Sequence, residues 1–153
     1  HPERADKVFA LCKKNGFHTT RRSEEKIFND HHNVFLLDTL GELQLYYAAS
    51  EIAFVGGSLV NMGGQNMLEP AALNLPLITG PYTHNFSEIR ELLLQKGALL
   101  IAQNEKELSD KVIGLLSDAN LRNNMGERGE AVIEANRGSS KKTFKLIEKY
   151  LNN

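Results

Sequence analysis

The stretch Ile52-Ala53-Phe54-Val55-Gly56-Gly57-Ser58-Leu59-Val60-Asn61-Met62-Gly63-Gly64-Gln65-Asn66-Met67-Leu68-Glu69-Pro70-Ala71-Ala72-Leu73-Asn74-Leu75 decides how the chain is read. It opens with four apolar residues of strand length and composition. It closes with Leu68 to Leu75, which reads as helix. Two glycine pairs lie between them. An open α/β sheet takes its ligands at this kind of place, in the crevice beyond the carboxyl ends of its strands. Glycine permits a tight turn and a close approach of ligand to backbone. A helix start adds amides and a positive dipole end suited to phosphate.

The same residues also fit plain structure. Two glycine pairs can form a surface loop, and Asn66 with Glu69 three residues on matches a capping box. Pro70 is tolerated in a first turn. Neither G-x-x-x-x-G-K-[ST] nor G-x-G-x-x-G occurs, which excludes a P-loop NTPase and the common dinucleotide fingerprint.

With 153 residues the chain suits one domain with its own core. Its net charge of −1 and pI near 6.6 give no basic field for nucleic acid. Cys12 is the one cysteine, so no internal disulfide exists and a reducing compartment is expected. No apolar run of about 18 residues is present, and no signal peptide is expected. The chain starts His1-Pro2-Glu3-Arg4 without Met and enters a helix before any strand. A piece of a longer protein, cut on its N-terminal side, is expected; a processed or tagged form also fits.

In order, the pattern predicts a helix over 2–14 with Val8, Phe9 and Leu11 at partly helical spacing, stopped by Asn15-Gly16. Strands are expected at 17–20, 34–37, 52–55, 76–79 and 98–101. Arg21 to Lys26 reads as a charged loop whose two arginines could meet phosphate, though charge runs are usually solvated. His31-His32 lack a third ligand at useful spacing, so no metal site is expected. Thr39 and Glu42 form a second capping-box pattern, with a helix running on through Ala49. A helix is expected over 86–95 with Ile89, Leu92 and Leu93 on one face and Gly97 as its stop. Glu105 to Leu116 is amphipathic, with Leu108, Val112, Leu115 and Leu116 inward. Two C-terminal helices follow at 119–136 and 140–151, and Gly126 and Gly129 allow a break in the first, at roughly 1 kcal/mol each. Alternating strands and helices imply a parallel sheet with helices on both faces. The turns 38–42, 56–69 and 80–86 all follow strand ends and are expected on one edge.

Taken in order, several motifs carry a resemblance: His1-Pro2-Glu3-Arg4, Asp38-Thr39-x-Gly41-Glu42-Leu43, Phe54-Val55-Gly56-Gly57-Ser58-Leu59-Val60, Gly63-Gly64-x-Asn66-x-Leu68-Glu69-Pro70-Ala71-Ala72, and Gly80-Pro81 with Asn85-Phe86. Together they resemble the C-terminal half of the 3-deoxy-D-manno-octulosonic acid (Kdo) transferases of Gram-negative bacteria, over nearly the whole chain. The resemblance implies a single Rossmann-like, CMP-sugar-binding domain over 1–153, one half of a GT-B fold, with the N-terminal acceptor domain absent. It implies transfer of Kdo from CMP-Kdo to a lipid A precursor at the cytoplasmic face of the inner membrane. Acceptor, membrane contact and catalytic base would belong to the missing half, so the fragment would be soluble and inactive alone. No cofactor and no metal are expected.

The resemblance places CMP contacts at Leu40, Gly41 and Glu42 and at Asn66, Met67, Leu68 and Glu69. Support would come from Gly56, Gly57, Ser58, Gly63, Gly64 and Arg4. Leu40 stands where Met is frequent, and Gln65 where His is frequent. Glu69, ionised, could accept from both ribose hydroxyls. Two alternatives stay open: half of another GT-B transferase or epimerase, or a non-catalytic α/β binding module.

Overall fold

The computed structural model describes residues 2–24 and 29–151, which form two compact units, 1–46 and 47–153. His1 and Glu25-Lys26, parts of two stretches singled out above, lie outside the described residues. All strand pairings are parallel.

In the first unit a 3-10 turn, Pro2–Arg4, leads into α1, Ala5–Lys14. Its inward row is Ala5, Val8, Phe9 and Cys12, all half-buried, while Leu11 points to solvent. Positions 5, 8, 9 and 12 share one helical face and 11 does not, which corrects the expectation for Leu11. The predicted stop is real: Gly16 takes φ +81°, and the amides of Gly16 and Phe17 donate to Lys13 and Cys12 carbonyls at 3.0 Å. β1, Thr19–Arg21, then pairs with β2, Val34–Leu36. A six-residue helix, α2, covers Leu43–Ala48.

The second unit holds β3, Ala53–Val55, β4, Leu77–Thr79, and β5, Leu99–Ile101, in the order β3-β4-β5. Successive strand residues point to opposite faces, and two cores follow. Ala53, Val55, Leu77 and Leu99 join Met67, Ala71, Leu93, Val132 and Ile133 in one. Ile78 joins Leu115, Met125 and Ala102 in the other, with Leu100, Leu108 and Val112 packed against them. Helices α3, Leu68–Ala72, and α4, Ser87–Gln95, serve the first face, and α5, Glu105–Ser117, the second. The last helix, α6, spans Ala119–Leu151 and contributes to both. The sheet of this unit is therefore parallel and covered on both sides.

Three expectations need correction. α6 is continuous from 119 to 151, without the expected division or a break at Gly126 or Gly129. A Cβ on Gly126 would overlap the carbonyl and side-chain oxygens of Asn74, and one on Gly129 would sit 3.7 Å from the Ala98 Cβ and 3.8 Å from Ala71. Gly126 lets α6 lie close against Asn74 in the loop after α3, whereas the contacts at Gly129 are ordinary van der Waals distances. Leu116 is 54% exposed, because Leu115 takes the inward position in the last turn of α5. Leu92 likewise stands largely exposed, leaving Leu93 and Ile89 to face the core.

Candidate ligand site after the strand ends

In the first unit the segment after β2 is tied to the segment after β1. The Ser23 amide donates to Asp38 Oδ1 at 2.9 Å and its hydroxyl to Oδ2 at 2.6 Å. The Ser23 hydroxyl is the chief cause that holds the Asp38 carboxyl below its ordinary range, against partial desolvation. Arg22 donates from Nε and Nη2 to Glu42 Oε1 at 3.1 and 3.0 Å, and the Thr39 hydroxyl donates to Oε2. Thr39 first and Arg22 second hold the Glu42 carboxyl below the ordinary glutamate range.

The Thr39–Glu42 pattern predicted a helix start at Thr39, but α2 begins at Leu43. The two residues meet side chain to side chain, not through the backbone amides of a capping box. The Glu42 carbonyl instead opens the helix, accepting from Leu45 at 3.0 Å. Gly41 turns the chain with φ +83°, and Leu40 is 80% exposed. A small hollow of about 110 Å³ is lined by Arg4, Ala5, Val8, Leu36, Leu37, Thr39 and Leu40. The structure thus brings Arg4 and Leu40 to one hollow.

In the second unit the Gly-rich stretch follows β3, and Gly80 to Phe86 follows β4. They are knotted together at Ser58, which is fully buried. Its hydroxyl donates to the Val55 carbonyl at 2.6 Å and accepts the Gly80 amide at 2.8 Å. Its carbonyl accepts the Tyr82 amide at 3.0 Å. Gly57, Gly63 and Gly64 take φ of +68°, +86° and +76°, a region side chains avoid. The Gly64 amide donates to the Gly57 carbonyl at 3.0 Å, and the Asn85 amide to the Gly63 carbonyl at 3.2 Å. A side chain at 63 would collide with that of Asn85. Gly56 carries no such constraint.

Asn66 and Glu69 meet as predicted, in altered form. Asn66 Oδ1 accepts the Leu68 amide at 2.9 Å from one residue ahead of the N-cap position, which Met67 and not Asn66 occupies. Asn66 Nδ2 donates to Glu69 Oε1 at 2.9 Å, where a capping box would use the backbone amide. Both residues are half-buried and Leu68 is largely exposed, whereas Met67 is fully buried. Met67 therefore presents no surface of its own, backbone included, and anchors the turn from beneath. The phenol of Tyr47 is pushed up by burial and then by the negative charge of Glu69. α3 is only five residues long, so its dipole is short and individual amides matter more.

Arg22 on Glu42 and Ser58 as a knot were not legible as such. The first joins residues twenty apart, and the second needs the pairing of β3 with β4. His31 and His32 serve their own turn: the His31 amide donates to Asn29 Oδ1 at 3.1 Å, and the Asn29 amide to His32 Nδ1 at 3.3 Å. Among the described residues no group of three His, Cys, Asp or Glu converges as a metal site. No helix among them is long and apolar enough to cross a membrane.

Parallel strands with glycine-rich strand-to-helix turns describe a Rossmann-like α/β domain. The profile of the family described as Glycosyl transferases group 1 matches residues 14–132, and the chain belongs to that family. Within it the chain is similar to 3-deoxy-D-manno-octulosonic acid transferases. It is 42% identical to that of Haemophilus influenzae and 36% to that of Bordetella pertussis, over 99% of this chain and 36% of each relative. The chain thus spans about a third of the length of these relatives. It also matches the crystal structure of the C-terminal CMP-Kdo binding domain of WaaA from Acinetobacter baumannii, at 37% identity and TM-score 0.83, over 87% of this chain and 69% of that one. The Rossmann-like fold read from the sequence is the fold of that domain.

Proposed function

We propose that this chain is the donor-nucleotide half of a Kdo transferase, binding CMP-Kdo for transfer of Kdo to a lipid A precursor. The observation that carries the reading is the likeness, in fold and sequence together, to a domain described as CMP-Kdo binding. Glu69 accepts from the ribose hydroxyls while Asn66 steadies its carboxylate, since one oxygen remains available beyond that bond. Leu40, Gly41 and Glu42 form the second contact, with Arg4 and Leu40 shaping the hollow beside them. Backbone amides at Gly41-Glu42 and at Asn66 stabilise the charge that grows on departing CMP. Leu68 supplies an apolar contact, and Met67, wholly buried, holds the turn in place beneath it.

The rest of the transferase, the greater part of the relatives' length, supplies the acceptor site, the general base and contact with the inner membrane at its cytoplasmic face. Transfer proceeds without a metal, since the scheme needs none. The test is a calorimetric titration of the chain with CMP, and with UMP and AMP as controls. Selective binding of CMP supports the reading. Equal binding of all three points to a general phosphate site and to another sugar nucleotide, and overturns it.

A further inference from the structure

We propose that Arg22 is a positioning residue of the donor site, acting through Glu42; the inference rests on Glu42 being a nucleotide contact. Arg22 lies in a 3-10 turn, Arg22–Glu24, that continues β1. Glu42 lies in the turn after β2, the parallel neighbour of β1. The guanidinium places two N–H groups on Oε1, at 3.1 and 3.0 Å, and the Thr39 hydroxyl takes Oε2. Both carboxylate oxygens are thus fixed, and with them the plane of the group. Oε1 is filled by the two guanidinium donors, while Oε2, with one donor, keeps a lone pair for a ligand. Gly41, in the left-handed region just before Glu42, leaves the turn without side-chain restraint of its own. Arg22 and Thr39 supply that restraint.

A purely stabilising role is a poor account of the pair. Both side chains are partly solvated, at 38% and 26% exposure, and such ion pairs contribute little to folding. The two strand ends are already joined by Ser23, whose amide and hydroxyl both reach Asp38. Arg22 can therefore be removed with that link left in place. What Arg22 adds is the direction of the Glu42 carboxylate. A lysine could keep the charge there, not the two-pronged fork.

The experiment is a double-mutant cycle on this chain with CMP as titrant: native, Arg22→Ala, Glu42→Gln, the double variant, and Arg22→Lys beside them. Expected is a roughly tenfold loss of CMP affinity in Arg22→Ala, the scale of one charge-assisted hydrogen bond, with the melting temperature kept. Arg22→Lys recovers only part. The double variant binds no more weakly than Glu42→Gln, because both changes remove the same thing. Additive losses mean that Arg22 meets the ligand itself and overturn the proposal. Native affinity in Arg22→Ala overturns it as well, as does a fully restored Arg22→Lys. Should Arg22→Ala fail to fold, the comparison of Arg22→Lys with native decides by the same criterion. If native binds CMP and Glu42→Gln binds it equally, Glu42 is no contact and the proposal falls while CMP recognition stands. A native chain that binds no CMP overturns both.

Discussion

The Ser58 carbonyl occupies the space that a side chain on Gly80 would need, while the Ser58 hydroxyl accepts the Gly80 amide at 2.8 Å. The ends of β3 and β4 are joined at this one point, and the two loops beyond them leave from it. Gly80→Ala should destabilise the chain by about 3 kcal/mol, because the obstructing atom is backbone and cannot turn aside. Ser58→Ala should cost about 1–3 kcal/mol by leaving the buried Gly80 amide without its acceptor. Urea denaturation of each variant checks both values. A Gly80→Ala chain as stable as native would mean that the two loops are not held in this contact.

Glu69 and Asn66 separate recognition from stability. Glu69→Gln should weaken CMP binding by about 1–3 kcal/mol, as a charged acceptor is lost, with little change in unfolding. Asn66→Ala should lower stability by about 1 kcal/mol, the scale of one net hydrogen bond, since it removes the acceptor of the Leu68 amide. Calorimetry with CMP and thermal melts on the same samples give both readouts. If Glu69→Gln melts early and binds normally, its task is structural.

Two helical glycines should respond in opposite directions to alanine. Gly114, in α5, has open space around it, so Gly114→Ala should stabilise by about 1 kcal/mol. Gly126, in α6, faces the Asn74 carbonyl, so Gly126→Ala should destabilise despite the better helix propensity. Paired denaturation curves decide, and two shifts of the same sign would contradict the close approach of α6 to Asn74.

The Glu42 carboxyl is held low by the Thr39 hydroxyl first and by Arg22 second. A carboxyl lowered on folding stabilises the native state above the ordinary glutamate range and ceases to as pH falls through that range towards the lowered value. Thr39→Val removes the larger cause, so Glu42 should titrate at higher pH in that variant. Carbon-13 NMR of the side-chain carboxyl follows this directly. An unchanged titration would mean that the hydroxyl does not donate to Glu42 in solution.

Much of this was legible because it is local. β2 to β5 are short, largely apolar runs beside turn residues, whereas β1, Thr19–Arg21, is polar. Asn15-Gly16 and Gly97 announced their helix ends, because a left-handed residue just past a helix is a chain-local requirement. Asn66 and Glu69 are one helical turn apart, so their meeting was readable, though not which amide would be used. The long-range features were not. Gly126 reads as a helix breaker until Asn74 is set against it. Arg22 reads as a solvated charge until β1 and β2 pair and deliver Glu42. Leu116 reads as inward because the periodicity continues, yet the packed layer ends with Leu115.

Met67 has no exposed surface and shares a core cluster with Val55 and Leu77, while Asn66, Leu68 and Glu69 on either side of it keep solvent access. One side chain thus moors this strand-to-helix turn to the interior. Exchanges at 66, 68 and 69 therefore change the exposed surface of the turn while the packed scaffold beneath is kept, whereas exchange at 67 disturbs that packing first.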